Sequence, residues 1–501
     1  MAPQEPPAAH AGGSIGTAVL GGGPAGLTGA YVLAGRGQPG RVFEAGDVVG
    51  GISRTVEVDG YRFDLGGHRF FTKLPPVARL WEDMLGEDFL ERPRLSRIYY
   101  GGRFLAYPLQ ARDVLDRLGV AESARCALSY FAALARRSGR DAETFEEWVT
   151  ARFGRRLYEA FFRSYTEKVW GIPGSEIRAE WAAQRIKDFS LANALLSVLR
   201  LRRSRSTTMI ERFRYPRRGP GQMWQAFQAH VERAGIEVDL GTRCVEIQHD
   251  GARAVAVVVD GPGGRAEHAV DGVLSSIPLG ELVARMSPSA PDAVLAAARG
   301  LRYRSMCLVA LMTDEPEPFP DNWIYLHDPG VRAGRVQNFG AWSPDMVPPG
   351  ATCLGVEYFC FEGDDLWTMD EDEAVALAAR ELASIGLIDP ARVTGGVRVR
   401  VPKSYPMYDA DSAGHVQSIR DHLAGFANVQ TCGRNGLHRY NNQDHSMWTG
   451  ALAALNLIDG AGHDVWSVNT EARYHESGEA VEAALELPPL SPEGSLAAAG
   501  S

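Results

Sequence analysis

The sequence lacks several features that would each place it in a distinct class of protein. It has no positive charge excess: 52 Lys and Arg against 62 Asp and Glu leave a formal charge of −10, which argues against a nucleic-acid binder. It has no run of about 20 apolar residues, so no transmembrane span is expected. Its six cysteines are scattered without a C-x-x-C pair, which indicates neither a metal site nor a disulfide framework and fits a reducing, cytoplasmic location.

The two ends of the chain lack apolar periodicity. Residues 1–13 are rich in Pro, Ala and Gly without the basic region of a signal peptide, and residues 487–501 are similar in composition. We predict that both segments are disordered. Between them, 45% hydrophobic and 23% charged residues over a 501-residue chain provide for a large core with two or three substructures.

One stretch organises the chain. A buried strand over Thr17–Leu20 leads into three glycines at the G-x-G-x-x-G spacing, and Pro24 opens a helix whose N-terminus can receive a pyrophosphate. Glu44 follows at the end of the next strand, where a carboxylate can hold a ribose hydroxyl. This order predicts a dinucleotide site; the alternative is a glycine-rich turn in another α/β unit. The predicted ligands are Gly21, Gly23, Pro24, Ala25, Gly26 and Glu44.

Two further glycine motifs indicate which dinucleotide is bound. Gly50-Gly-Ile-Ser-Arg54 is similar to the segment that flavoproteins of the glutathione-reductase and amine-oxidase type place against FAD, which adds Gly51 and Arg54 to the cofactor site. Phe63-Asp-Leu-Gly-Gly-His68 resembles the flavin-facing loop of UDP-galactopyranose mutases, with Gly67 and His68 beside the flavin. The resemblance implies FAD; a structural histidine in a turn is the alternative for His68.

Motifs in the first half of the chain match these mutases in order. Tyr107-Pro-Leu-Gln110 resembles the segment that holds the nucleobase, with Leu109 in place of an aromatic ring, which puts uridine in doubt. Lys168-Val-Trp-Gly and then Glu180 to Arg185 match segments in which the arginine pairs with the substrate diphosphate. A guanidinium suits that task because its planar fork donates two parallel hydrogen bonds.

Motifs in the second half complete the resemblance. Tyr325 and Arg335 have the spacing of a mutase pair that binds the two phosphates, and Tyr405 aligns with a tyrosine that reaches the diphosphate. Residues 432–447 precede a helix predicted over 448–458, and within them Asp444 is interpreted as a helix cap. The resemblance implies one further substrate residue, Tyr440, and the cofactor residues Gly433, Arg434, Asn442, Gln443 and Ser446.

The resemblance covers about residues 18–460 and implies a fold of the α/β class. We expect a Rossmann-type FAD-binding domain of the glutathione-reductase type over 14–75, 206–290 and 401–470. A helical substrate or oligomerisation domain would occupy 76–205, and an antiparallel-sheet substrate domain 291–400. The residues themselves predict a hairpin over 97–107, a capping box at Thr144, strands over 306–312, 351–361 and 393–401, and a helix over 372–385.

The implied activity is that of a mutase acting on a nucleotide-diphosphate sugar. It would interconvert pyranose and furanose rings through an adduct between N5 of reduced FAD and the sugar, with NAD(P)H as a possible source of reducing electrons. The implied catalytic residues are His68, Arg185, Tyr325, Arg335, Tyr405 and Tyr440. Tyr107 and Gln110 join Arg185, Arg335 and the three tyrosines as substrate-binding residues.

Three other functions remain open. The first is an FAD-dependent oxidoreductase of the amine-oxidase or protoporphyrinogen-oxidase type acting on a sugar-containing or other small metabolite, which Leu109 favours. The others are a flavoenzyme for a different phosphorylated or glycosylated metabolite and an FAD-binding protein without activity. The expected partner is a small anionic metabolite, with no nucleic acid and no membrane span; contact between subunits through the helical domain stays open.

Overall fold

The computed structural model describes residues 10–12, 15–107, 120–135, 142–179, 212–469 and 487–488. Its strands are β1 (His10–Gly12), β2 (Thr17–Leu20), β3 (Gly40–Phe43), β4 (Thr55–Val58), β5 (Tyr61–Asp64), β6 (Phe89–Pro93), β7 (Ser96–Tyr100), β8 (Arg103–Ala106), β9 (Arg212–Pro216), β10 (Glu237–Asp239), β11 (Arg243–His249), β12 (Ala254–Gly261), β13 (Gly264–Ala269), β14 (Gly272–Ser275), β15 (Met286–Ser287), β16 (Tyr303–Thr313), β17 (Trp323–Leu326), β18 (Arg335–Asn338), β19 (Thr352–Cys360), β20 (Val393–Pro406) and β21 (Val429–Thr431).

The helices follow the same order along the chain. They are α1 (Pro24–Gly35), α2 (Pro75–Leu85), α3 (Val120–Ala135), α4 (Phe145–Phe153), α5 (Arg155–Leu157), α6 (Ser164–Trp170), α7 (Gly221–Arg233), α8 (Leu279–Ala284), α9 (Asp292–Gly300), α10 (Phe339–Trp342), α11 (Asp365–Thr368), α12 (Glu371–Ser384), α13 (Ser412–Leu423), α14 (Gly433–Gly436) and α15 (Gln443–Asp459). A π-helical turn over Tyr158–Arg163 joins α5 to α6. No helix in the described ranges has the length and apolar character needed to cross a membrane.

A parallel sheet with the strand order β10-β3-β2-β14-β21 forms the first part of the fold. β2 and β14 are buried at every residue, as expected for parallel strands covered on both faces. Helix α1 packs against the alanine-rich α15, whose Ala451, Ala453 and Ala454 are buried in the same core cluster as Leu27 of α1. The α/β fold expected from the sequence is therefore confirmed.

A seven-stranded sheet of order β20-β16-β19-β18-β17-β7-β8 forms the second part. Its neighbours pair antiparallel except for β17 and β7, which run parallel. The strands predicted over 306–312, 351–361 and 393–401 are confirmed as β16, β19 and β20, and the helix predicted over 372–385 as α12. This sheet sets Tyr325, Arg335 and Glu357 side by side on three adjacent strands.

The range 76–205, predicted as a helical domain, contains strands as well as helices. The hairpin predicted over 97–107 is confirmed as β7 and β8, and it extends the edge of the seven-stranded sheet. β6 pairs with β9 instead. Helix α4 begins at the predicted capping box, where Thr144 Oγ1 accepts from the Glu147 amide and the Glu147 carboxylate accepts from the Thr144 amide.

Helix α15 begins five residues earlier than predicted. Its first residue is Gln443 rather than Trp448, and its cap is Asn442 rather than Asp444. The Asn442 amide donates to His445 Nδ1 at 3.3 Å, which closes a capping box with histidine in the third helical position. Because the apolar run starts only at Met447, apolar periodicity placed the start of the helix too late.

Parts of both end segments predicted as disordered make defined contacts. β1 extends a mixed sheet of order β1-β13-β12-β11-β15 by pairing in parallel with β13. At the other end, Tyr31 of α1 donates its hydroxyl to the carbonyl of Pro488 at 2.5 Å, and Leu487 packs against the same core. The disorder prediction is therefore wrong for residues 10–12 and 487–488.

Candidate functional site

The first glycine loop forms a tight turn before α1. A Cβ atom on Gly26 would lie 1.9 Å from the carbonyl oxygen of Gly21, so only glycine fits that position. A Cβ atom on Gly23 would meet nothing closer than Gly51 Cα at 3.9 Å, which shows open space between the two glycine loops. Gly23 caps α1 and Pro24 opens it, so the free amides of the helix N-terminus face this space.

Glu44 lies directly after β3, at the edge of the parallel sheet where nucleotides bind in such folds. Its two carboxylate oxygens accept from the backbone amides of Gly22 at 2.6 Å and Gly46 at 2.7 Å. These two hydrogen bonds fix the carboxylate next to the glycine turn. Its position agrees with the predicted contact to a ribose hydroxyl.

The predicted cofactor residues near the C-terminus lie beside the same turn. Gly433 approaches α1 so closely that a Cβ atom on it would lie 2.8 Å from Ala25 Cβ. Asn442 caps α15, and Gln443 and Ser446 belong to the first turn of that helix. Gln443 Nε2 donates to the carbonyl oxygen of His68 at 3.4 Å, which joins the N-terminus of α15 to the loop of Gly67 and His68.

Three buried polar atoms test whether a flavin fits between these segments. Within the described ranges, His68 Nδ1, Gln443 Oε1 and Arg434 Nε have no hydrogen-bond partner. Buried polar atoms are rarely left unpaired, so this group of atoms fits a polar ligand in the space between them. Together with the open glycine loops and Glu44, the residues present fit a dinucleotide with a hydrogen-bonding ring.

The His68 imidazole is neutral. Burial, and then the positive charges of Arg434 and Arg335, lower its pKa from 6.5 to about 3. The positive charges of both arginines act on this ring, although the two residues lie 99 positions apart in the sequence. A neutral ring has one donor and one acceptor nitrogen, which suits hydrogen bonding to a flavin.

Arg335 is held by a buried carboxylate. Its Nε donates to Glu357 at 2.9 Å and its Nη2 at 2.8 and 2.6 Å, while Gln337 Nε2 donates to the same carboxylate. Glu357 has no exposed surface, and the Arg335 side chain is 19% exposed. Burial alone would lower the pKa of Arg335, but Glu357 and the neighbouring tyrosines hold it well above its ordinary value. Within the described part of the chain, Nη1 keeps no partner of its own.

Arg434 has no such carboxylate. Its guanidinium carbon lies 4.0 Å from the centre of the Tyr440 ring and 4.8 Å from that of Tyr405, and the two rings stack 5.5 Å apart. Its Nη1 donates only to the carbonyl of Asn441, at 3.4 Å. No carboxylate among the described residues forms an ion pair with Arg434, so its positive charge is uncompensated there.

The remaining predicted substrate residues form an aromatic group beside Arg335. The Tyr325 ring lies 5.2 Å from that of Tyr107 and 5.8 Å from that of Tyr165, each in an edge-to-face arrangement. Burial raises the pKa of the Tyr405 and Tyr165 hydroxyls, so both stay protonated and able to donate. Arg185, Gln110 and Leu109 lie outside the described residues, and their predicted roles stay predictions.

Sequence reasoning missed three residues of this site. Glu357 is the only charged residue in the fully buried strand β19, a position where a carboxylate needs a partner. Tyr165 precedes the Lys168-Val-Trp-Gly motif, which was matched without it. Asp64 precedes the Gly66–His68 loop, accepts from the hydroxyls of Tyr215 at 2.5 Å and Thr55 at 2.8 Å, and burial raises its pKa to about 7.

The described residues were also compared for possible metal ligands. In the ranges that the structure describes, no group of three or more His, Cys, Asp or Glu could hold a metal ion. All six cysteines are free and buried.

Comparisons with known proteins agree with this geometry. Residues 24–434 match the family model described as flavin containing amine oxidoreductase. A protein of Mycobacterium leprae (strain TN) named coproporphyrinogen III oxidase is 27% identical over 404 residues, 75% of this chain and 84% of the relative.

Two solved structures share the fold. Reduced UDP-galactopyranose mutase superimposes with a TM-score of 0.79 at 22% identity, over 91% of this chain and 99% of its own. Putrescine oxidase with bound putrescine superimposes with a TM-score of 0.59 at 17% identity, over 89% and 99%. Since the family model covers most of the sequence, the chain belongs to the flavin-containing amine oxidoreductase family.

Proposed function

We propose that this protein is an FAD-dependent mutase that interconverts the pyranose and furanose forms of a nucleoside-diphosphate sugar. The observation that carries the proposal is the guanidinium of Arg434, which forms no ion pair with a carboxylate of the described residues, acts on His68 together with Arg335, and lies against Tyr405 and Tyr440. A site with an excess positive charge and several hydroxyl donors fits an anionic leaving group. The fold shared with reduced UDP-galactopyranose mutase supports the same activity.

FAD is implied by the flavin-containing family. The amides at the N-terminus of α1 would hold its pyrophosphate, Glu44 its ribose, and the first turn of α15 with His68 its ring. When bound in reduced form, FAD supplies a nucleophilic nitrogen for the anomeric carbon of the sugar. The helix dipole of α15 favours negative charge at that end of the ring.

The residues of the substrate side would bind and neutralise the diphosphate. Arg335 is fixed by Glu357 through Nε and Nη2, which leaves Nη1 to donate to a phosphate oxygen. Arg434, expected from the sequence as a cofactor residue, contributes a charge that no carboxylate among the described residues cancels, and the hydroxyls of Tyr325, Tyr405 and Tyr440 would donate hydrogen bonds. Arg185, if it adds its own guanidinium from the opposite side, would complete the clamp predicted from the sequence.

The positions of these charged groups would account for much of the rate enhancement. Two fixed cations aimed at the departing diphosphate stabilise charge that develops only in the transition state. His68, neutral and tied to Gln443 through its carbonyl, would keep the ring oriented and remain without charge across the physiological pH range.

The second function is an FAD-dependent oxidoreductase. It is favoured by the family description and by the relative named coproporphyrinogen III oxidase, which is more similar in sequence than the mutase structure. In that case the same cations would bind an anionic group of the substrate, and FAD, when bound, would supply hydride-accepting chemistry.

One comparison separates the two functions. The purified protein is incubated with UDP-, GDP- and dTDP-hexopyranoses after anaerobic reduction by dithionite, and in parallel as oxidised protein in air. Furanose product formed only under reduction supports the mutase. Hydrogen peroxide, or stoichiometric bleaching of the flavin by a substrate, supports the oxidoreductase and contradicts the mutase. A colourless protein that binds no FAD contradicts both.

The proposal also includes four further expectations from the sequence. They are the domain boundaries, the cytoplasmic location supported by six free thiols, NAD(P)H as a reductant, and contact between subunits through the region 76–205. Leu128 and Phe131 of α3 are 70% and 58% exposed, which supports the last of these.

A further inference from the structure

Tyr325 and Arg335 belong to one hairpin, formed by β17, a loop over 327–334, and β18. One side chain from the helical region contacts this loop repeatedly. Lys168 Nζ of α6 donates to the backbone carbonyl oxygen of Leu326, at the end of β17, at 2.8 Å, and to those of Asp328 and Ala333 in the loop at 3.0 and 3.1 Å. One turn earlier on the same helix, Ser164 Oγ donates to the carbonyl of His327 at 2.6 Å.

The opposite side of the loop is held by a carboxylate. Glu381 of α12 accepts from the backbone amides of Arg332 at 2.6 Å and Ala333 at 3.0 Å, and from the Tyr358 hydroxyl at 3.0 Å. The loop thus lies between an ammonium that satisfies its carbonyls and a carboxylate that satisfies its amides. Both side chains act on the backbone that sets the positions of Tyr325 and Arg335.

The choice of lysine needs a reason. An ammonium has three donors and no acceptor, and here all three donors are used on one segment of backbone. Among the described residues no carboxylate forms an ion pair with Lys168, so its burial costs free energy that an apolar residue would not cost. Burial lowers its pKa from 10.5 to about 8, consistent with that cost. A residue that only filled space would be Met or Leu.

We infer that Lys168 is a positioning residue, which fixes the Tyr325–Arg335 hairpin against the helical region. The inference rests on the proposed function for its kinetic part only. It also gives a role to the Lys168-Val-Trp-Gly motif, which the site otherwise leaves unused. Without the ammonium, three carbonyls lose this donor, and the loop keeps its other contacts, among them those with Glu381 and Ser164. We expect kcat/KM to fall 10- to 100-fold while FAD content is kept.

The test compares FAD-loaded full-length wild type with K168M and with a control variant, N456A. Asn456 also makes three hydrogen bonds, to Gln430 and to the backbone of His463, but it lies near the far end of α15. Thirteen residues of helix place it about 20 Å from Gln443. Hydrogen–deuterium exchange is measured over all peptides without substrate, followed by kcat/KM with reduced enzyme. K168A is assayed with and without millimolar ethylammonium chloride.

Three results support the inference. Exchange rises in peptides covering 323–338 in K168M and not in N456A, kcat/KM falls in K168M alone, and ethylammonium restores part of the activity of K168A. Unchanged exchange over 323–338 in K168M overturns it, as does faster exchange with an unaltered kcat/KM in an active enzyme. The exchange measurement uses no substrate. It therefore tests whether Lys168 holds the hairpin even if the wild type isomerises no nucleotide sugar and the proposed function fails.

A variant that fails to fold does not end the test. If K168M yields no folded protein, S164A removes a single hydrogen bond from the same loop. S164A must then raise hydrogen–deuterium exchange over 323–338, by a smaller factor than the one expected for K168M. Unchanged exchange in S164A overturns the inference in that case.

Discussion

The cofactor side and the substrate side of the site are built from different kinds of contact. On the predicted cofactor side, glycines make close backbone contacts, as Gly26 does with Gly21, and backbone amides hold a carboxylate, as those of Gly22 and Gly46 hold Glu44. On the predicted substrate side, charged and aromatic side chains of neighbouring strands meet, as Arg335 does with Glu357. The first kind of contact depends on shape and the second on charge. Substitutions on the two sides should therefore fail in different ways.

The largest effect is expected for Arg335→Met. Turnover should fall about 10²- to 10³-fold, because a cation that stabilises the departing diphosphate is lost. Glu357 would be left fully buried without its partner, which typically costs about 3–5 kcal/mol of stability. The flavin should remain bound, since no cofactor contact is changed. Steady-state kinetics with reduced enzyme, flavin absorbance per chain and the midpoint of urea unfolding measure the three quantities.

A second substitution separates the loss of stability from the loss of activity in this variant. Adding Glu357→Leu to Arg335→Met removes the unpaired carboxylate and should recover most of the lost stability without recovering activity. Wild-type activity in Arg335→Met would remove Arg335 from the substrate site. Loss of flavin in that variant would show that the two sides are not independent.

On the cofactor side, Gly26→Ala should cost at least about 3 kcal/mol, the upper end for overpacking, because its Cβ would lie 1.9 Å from a backbone oxygen that cannot move aside. The protein should come out colourless or unfolded, as seen by absorbance and circular dichroism. Gly23→Ala is the matched control, since its Cβ enters open space. It should fold normally and bind FAD more weakly. Equal behaviour of the two variants would contradict the shape argument.

The same difference explains what the sequence could predict. The glycine turn, Glu44 and the capping box at Thr144 are local patterns whose geometry follows from neighbours in the chain, and their positions were predicted correctly. The ion pair of Arg335 and Glu357 depends on the antiparallel register of β18 and β19, which no local pattern specifies.

The resemblance to a family predicted residues that local sequence patterns do not specify. Tyr325, Arg335, Tyr405 and Tyr440 were predicted from the resemblance, and the structure stacks Tyr405 on Tyr440 and pairs Tyr325 with Arg335 across two adjacent strands. The start of α15 was placed late because its first turn is polar. Tertiary packing, by contrast, ordered residues 10–12 and 487–488, which have no periodicity of their own.

Asp64 is buried, and its contribution to stability should depend on pH. Burial raises its pKa to about 7, so between pH 4 and 7 the native state holds a proton that the unfolded state has released. Stability contributed by this group is therefore present at low pH and is lost as pH rises toward 7. The loss should be a few kcal/mol, since each pKa unit corresponds to about 1.4 kcal/mol.

The variant Asp64→Asn removes the ionisation; its one carbonyl oxygen can accept from one of the two hydroxyls, that of Tyr215 or Thr55, while its NH2 group faces the other as a donor. Urea unfolding at pH 4.5, 6 and 7.5 gives the difference in stability between wild type and variant. That difference should move in favour of the variant as pH rises. A difference that is independent of pH would show that Asp64 ionises in the native state as it does in the unfolded chain.

The smallest effect is expected for Thr144→Ala in the helical region, away from both sides of the site. It removes the hydroxyl that accepts from the Glu147 amide at 3.2 Å, a loss typically of about 1 kcal/mol. Flavin content and kcat/KM should stay at wild-type values while the midpoint of thermal unfolding falls slightly. Helix α4 is followed along the chain by α5, the π-helical turn and α6, which carries Lys168, so a change in kcat/KM here would mean that the helical region transmits small strains to Arg335. The substrate side would then extend well beyond the seven-stranded sheet. Its boundary with the cofactor side would have to include the helical region.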